Sequence, residues 1–189
     1  MGNSGSTNAT KKRNIDKVLL KGAKVKAGGT LRPPTSVRFG FRRGSFDPPT
    51  RYFIRKTLAD PRGWAGRGYT FVHRAHIQPV DVVLALCDKD EMDARFGHAP
   101  ELRDLSVTNF GTRPARVYFH RDNWESPPPL FTGTLQSYRE YLVQHEIGHA
   151  LGRGHATEET DGGACPVMYQ QSKGTSRCTP NAWITVTDE

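Results

Sequence analysis

Metal-binding and proton-moving side chains are interleaved in the run His145-Glu146-Ile147-Gly148-His149-Ala150-Leu151-Gly152-Arg153-Gly154-His155. It matches the zinc pattern H-E-x-x-H-x-x-G-x-x-H at every specified position. Histidines four residues apart on a helix stand one turn above each other and aim their rings at one point, about 2.0–2.1 Å from a Zn²⁺. Gly152 can leave the helix in a backbone conformation that turns the chain, so that His155 swings back as a third ligand. Three protein ligands leave the fourth tetrahedral position to water, the arrangement of a catalytic rather than a structural zinc. The expected constellation is therefore one Zn²⁺ per chain on His145, His149 and His155, with Glu146 as general base. The expected chemistry is hydrolysis of a peptide bond by metal-activated water, without a covalent intermediate.

Positioning such a site takes a long helix and a scaffold behind it. Ser137-Tyr138-Arg139-Glu140 has the form of a capping box, and Tyr138, Tyr141, Leu142, His145, His149 and Gly152 follow at spacings of three and four, on one stripe. Upstream, Ser36 to Phe46 alternates as a strand, Asp47-Pro48-Pro49-Thr50 is a turn that caps a helix, and Arg51 to Leu58 has helical spacing. Tyr69 to His73, Asp81 to Cys87 and Arg116 to His120 are further strands, the second apolar enough to be buried on both faces. Asp88 to Phe96 reads as a short helix or loop, and Ser126-Pro127-Pro128-Pro129 as a loop. These elements make the fold class α+β.

The 189 residues suit one domain and a tail, and the net charge of +8 is unevenly spread. Residues 1–56 hold 14 Lys and Arg against 2 acidic residues, whereas residues 57–189 hold 13 against 17. The basic excess belongs to the front of the chain, so the catalytic domain is not expected to bind nucleic acid. Residues 1–33 read as a flexible basic N-terminal arm, with the catalytic domain over 34–189. Met1 to Thr10 is polar and no apolar stretch follows, so no secretory signal is expected. Met1-Gly2-Asn3-Ser4-Gly5-Ser6 fits the N-myristoylation pattern, and Lys11, Lys12, Arg13 and Lys17 behind it add an electrostatic signal. Acylation at Gly2 would place the protein at a membrane surface, and a bare arm leaves it cytoplasmic. Cys165 and Cys178 either close a ring worth about 3 kcal/mol in an oxidising compartment or remain free thiols, and the sequence leaves both open. Cys87 ends an apolar run and reads as a buried, inert thiol.

The zinc pattern, with Pro166-Val167-Met168 following it, resembles the metzincin clan of zinc endopeptidases. The resemblance implies a zincin domain with a mixed sheet, a long active-site helix and a methionine turn in which Met168 floors the site without ligating. It does not extend to a metal-binding tyrosine two residues past that methionine, because Gln170 holds the place and Tyr169 is adjacent. The chain is more closely similar to an uncharacterised metzincin-like family of actinobacterial secreted or anchored proteins. That similarity is carried by Leu58-Ala59-Asp60-Pro61-Arg62-Gly63-Trp64, the Tyr138 to His155 segment, Pro166-Val167-Met168 with Gln170-Gln171, and Cys178 with Pro180-Asn181-Ala182-Trp183. The metzincin resemblance implies a peptide or protein substrate, held straight by pairing with an edge strand placed at Val117 to Phe119.

A second reading is a non-catalytic interaction or assembly protein, for instance a particle component, with zinc to hold its fold and the arm to grip membrane or nucleic acid. His73, His76, His98 and His120 are expected to be strand or loop residues, with His120 bordering a cleft. Trp64, Trp124 and Trp183 are expected to anchor packing, and Arg153 to be solvated or to read an acidic substrate group.

Overall fold

The computed structural model describes residues 35–75, 78–97, 99, 102, 104–157 and 162–188. Gly2 and the arm expected over residues 1–33 lie outside them, as do His76 and His98. The described chain is a mixed α+β fold with one five-stranded sheet and several helices.

Strand β1 (Thr35–Phe41) leads through helix α1 (Pro48–Ala59) to β2 (Tyr69–His73), its parallel neighbour. Asp47 starts α1 by accepting the Thr50 N–H at 2.9 Å, and prolines fill the first helical positions, where no N–H is needed. Next come β3 (Val82–Cys87), α2 (Lys89–Phe96), β4 (Val107–Asn109), β5 (Ala115–His120), α3 (Arg121–Glu125) and α4 (Leu135–Ala150). The sheet order is β2-β1-β3-β5-β4, parallel except for β4, which runs against β5.

Alternation along the strands divides the core. Phe39, Phe41, Leu84, Leu86, Val117 and Phe119 turn to one face, where they join Ile54 and Leu58 of α1 and Tyr138, Leu142 and Ile147 of α4. Ala85, Cys87 and Tyr118 turn to the other and meet Met92 and Phe96 of α2. β3 is thus covered on both sides, in keeping with its apolar run.

Three features differ from the sequence reading. β1 ends at Phe41 rather than Phe46, because Gly44 turns the chain at φ 75°. Helix α4 begins three residues before the expected box: Thr134 caps it, its hydroxyl accepting the Ser137 N–H at 3.1 Å. Ser137 therefore lies inside the first turn, and its own hydroxyl donates to the Thr134 carbonyl. Finally, Val117 to Phe119 is not an edge. β5 lies between β3 and β4, and the short β4, which alternation over three residues cannot announce, takes the edge beside α4.

Cys165 and Cys178 form a disulfide with Cα atoms 5.0 Å apart, and Cys87 is free and buried. Burial pushes the Cys87 thiol up to about 11, which keeps it protonated and unreactive. Among the described residues no helix is long and apolar enough to cross a membrane.

Helix α2 is tied to the sheet by Glu91, which accepts from Arg42 at the end of β1 and from Arg95 Nη2 at 2.8 Å. The Arg42 hydrogen bond, opposed by burial and helped by Arg95, pulls the Glu91 carboxyl from 4.5 down to about 2. A carboxyl with a lowered folded pKa stabilises the fold above its unfolded value and loses that contribution as pH falls through the folded one. Glu91→Gln is therefore expected to melt below wild type at pH 7, with the gap closing between pH 4.5 and 2. Thermal unfolding across that range measures it, and a gap independent of pH refutes the assignment.

Candidate metal centre

Helix α4 is the centre of the molecule. Its residues from Tyr141 to Gly148 are all buried, so the expected single stripe becomes a helix enclosed all round. The sheet and α1 cover one side, and the segment after the helix covers the other. Gln144, fully buried, joins three pieces of chain: its amide donates to the Thr57 carbonyl at 2.7 Å, and its carbonyl oxygens face the Trp64 backbone and indole N–H groups at 3.4 and 2.8 Å.

The helix stops in a double hydrogen bond: Arg153 N–H donates to the Gly148 carbonyl and Gly152 N–H to the His149 carbonyl, both at 2.9 Å. Gly152 takes φ 87°, a left-handed conformation that glycine enters without a Cβ penalty. This Schellman turn sends the chain back beside the helix and carries His155 to the other two histidines.

The three imidazoles each offer a nitrogen, and these atoms all lie within 4.8 Å of one another. His149 Nε2 is 3.2 Å from His145 Nε2 and 3.0 Å from His155 Nε2. The opposite nitrogens are engaged: His145 Nδ1 faces the Val167 carbonyl at 2.7 Å and His149 Nδ1 faces the Arg153 carbonyl at 2.8 Å. A carbonyl only accepts, so both Nδ1 atoms carry the proton and both Nε2 atoms present lone pairs. Desolvation of the rings keeps them neutral near pH 7: buried His145, crowded also by His149 and His155, lies well below 6.5, half-buried His149 is lowered, and His155, although an exposed residue, falls to about 4 through desolvation of its ring and the nearness of His149. Neutral rings with converging lone pairs are what a cation requires.

Glu146 points elsewhere on the helix, to the edge strand. The Thr108 hydroxyl lies 2.6 Å from Glu146 Oε2 and 2.9 Å from the Glu146 carbonyl. Burial pushes the carboxyl up to about 7, against the downward pull of Thr108. A hydroxyl has one proton and can also accept. It donates to the ionised carboxylate, and it can accept from the protonated acid while donating to the carbonyl, so both charge states are satisfied.

Met168 and Trp64 pack so tightly on the helix that a Cβ at Gly148 would overlap the Met168 sulfur and come within 2.9 Å of the Trp64 ring. The turn bearing Met168 has its backbone groups occupied. Carbonyls 165 to 168 accept from Asn181 Nδ2, Gln171 Nε2, His145 Nδ1 and Ala156 N, at 2.9, 3.1, 2.7 and 3.0 Å. The Cys165 amide donates to Thr179, and the disulfide to Cys178 holds the same end.

Of the remaining sequence expectations, Trp64 and Trp124 are buried, and Trp183 is half-buried under Arg62, whose guanidinium lies 4.0 Å from the ring. Arg153 lies over the Trp64 ring at 5.4 Å, so it braces the helix end rather than standing free in solvent. His73 packs at a tilt against Phe41, ring centres 5.2 Å apart, and His120 is buried at the end of β5 instead of bordering a cleft. Thr108, Gln144 and Asp188 escaped the sequence reading. Only the helical Gln144, polar in a buried stretch, carried a local signal.

The model of a family described as a protein of unknown function, DUF3152, matches residues 45–184. That range includes the three histidines, Glu146, Thr108 and Met168. No curated protein matches the chain.

Gly148→Ala is expected to lower the melting temperature, because overpacking costs about 1–3 kcal/mol against a helix-propensity gain of about 1 kcal/mol. Thr108→Val, which strips a buried carboxyl of its hydroxyl partner, is expected to cost about 1–3 kcal/mol. Chemical denaturation measures both, and a neutral Thr108→Val would mean that Glu146 is satisfied without it.

Proposed function

We propose that this chain, which belongs to the DUF3152 family, is a zinc-dependent endopeptidase of the metzincin type. The observation that carries the reading is the convergence of three neutral imidazoles at the end of the helix that also carries the buried carboxyl of Glu146, next to His145 in the chain. The donor set fits one zinc ion: separations of 3.0 and 3.2 Å between Nε2 atoms are near the roughly 3.3 Å between ligands in a tetrahedron with bonds of about 2.0–2.1 Å. His145, His149 and His155 would hold it, and calcium or magnesium, which take oxygen ligands, would not suit the site.

A bound zinc supplies Lewis acidity, easing deprotonation of a water and polarising a carbonyl oxygen. Glu146 takes the proton of the attacking water and returns it to the amine that leaves. Thr108 donates to Oε2, which leaves Oε1 to take up and release the proton, and that bond keeps the carboxyl in place as its charge changes. The Val167 and Arg153 carbonyls keep the His145 and His149 rings in their ligand tautomers. The substrate class is an extended peptide or an unfolded stretch of protein. It would add to the sheet at β4, the edge whose Thr108 reaches Glu146.

The finer fold assignment rests on the same features: a mixed sheet with its antiparallel edge strand beside the site helix, a glycine turn between the second and third histidines, and Met168 packed against that helix. In this reading residues 34–189 form the catalytic domain. The basic arm before it, with Gly2 as an acylation site, directs the protein to a membrane surface.

Wild type and Glu146→Ala, both assayed for zinc content and incubated with a denatured protein substrate, test the reading. Zinc at one ion per chain in both and cleavage by wild type alone is the expected result. Zinc with equal background cleavage in both overturns the enzyme and favours the assembly protein, and removal of the metal by a chelator is expected to abolish cleavage reversibly.

A further inference from the structure

Asp188 lies outside the residues that match the family model, yet its carboxylate is buried against the metal centre, 6 % exposed. Oδ2 accepts the Val167 N–H at 3.0 Å and Oδ1 accepts the Met168 N–H at 2.8 Å. The Thr185 N–H and hydroxyl also donate to Oδ2, at 2.7 and 2.9 Å. Among the described residues no Lys or Arg forms an ion pair with it, so backbone dipoles and one hydroxyl hold the charge. Two successive amides aimed at one anion form a nest, occupied here by a side chain of the same chain.

The Met168 N–H and the Val167 carbonyl belong to one planar peptide unit, in which the two groups point in opposite directions. Asp188 holds the N–H end, and His145 Nδ1 lies 2.7 Å from the oxygen end. Rotating that unit breaks both contacts at once. An anion on the N–H also polarises the peptide, making its oxygen a better acceptor for the imidazole N–H. Histidine ligands are commonly fixed by a carboxylate or a backbone carbonyl on the nitrogen away from the metal, and here the two are joined in series.

We infer that Asp188 is a positioning residue for the metal centre: through the Val167–Met168 peptide its carboxylate fixes the ring of His145 and keeps the proton on Nδ1, leaving Nε2 as a ligand. The residue touches neither metal nor substrate. The inference rests on the metal-site reading for its purpose, whereas its effect on His145 can be read without metal.

The test uses the full chain with ¹⁵N-labelled histidine, stripped of metal by a chelator. Long-range proton–nitrogen correlation spectra report which nitrogen of each ring is protonated. In wild type His145 is expected as the Nδ1–H tautomer, and in Asp188→Asn as a mixture, while His149, held by the Arg153 carbonyl, is unchanged and serves as the internal control. Competition with a chromophoric chelator is expected to show zinc affinity reduced about 10–100-fold in Asp188→Asn. An unchanged His145 spectrum together with an unchanged affinity overturns the inference. A wild type that takes up no zinc overturns the peptidase reading instead, and the tautomer comparison still decides the role of Asp188. If Asp188→Asn does not fold, Thr185→Val, which keeps the carboxylate and both turn amides, is the substitute. A smaller shift of His145 in the same direction supports the inference, and an unaltered His145 overturns it.

Discussion

Lone pairs on neutral nitrogens repel at close range, and this chain brings three imidazoles together at a helix end, with neighbouring Nε2 atoms 3.0 and 3.2 Å apart and those of His145 and His149 both presenting lone pairs. Nothing intrinsic to three histidines brings this about. It requires that each ring be denied other choices: two Nδ1 atoms are committed to carbonyls, desolvation keeps a second proton off each ring, and a left-handed glycine fixes the return of the chain. The crowding is offset by packing and hydrogen bonding elsewhere.

That offset comes from three structural levels. The sheet gives α4 a flat apolar bed, with Val117 and Phe119 on β5 fully buried. Gln144 then fixes the helix lengthwise, since sliding it would strand an amide and two N–H groups that have no water to turn to. The turn at residues 165–168 closes the other side, and its backbone groups are taken up by side chains from Asn181, Gln171, His145 and Asp188. Met168 fits against the helix because residue 148 has no side chain, so a glycine poor for helix stability sets the spacing between helix and turn.

The sequence was most legible where one residue type does one job within a few positions. The spacing that brings the three histidines together, the glycine that ends α4, the capping aspartate of α1 and the run of β3 all follow from local rules. It was least legible where the partner is distant. Thr108 meets Glu146 across 38 residues, and Gln144 meets Thr57 across 87. The mistaken edge at Val117 to Phe119 has the same cause, since edge status depends on whether a three-residue strand elsewhere pairs alongside, and Val107 to Asn109 is too short to show a period. The misplaced helix start is a competition between neighbours: Thr134 and Ser137 are both good caps, and the pattern before α4 did not choose between them.

Cys87 offers a use that its burial alone creates. With the other two cysteines joined to each other, it is the one thiol of the chain, set at the end of the sheet's central strand beneath α2 and fully shielded. Alkylating reagents reach it only when α2 lifts or the strands part, so its labelling rate under native conditions reports how often this half of the molecule opens. The protein thus contains its own single-site clock for breathing of the scaffold, on the face of the sheet opposite the histidine helix and readable by mass without any engineered probe.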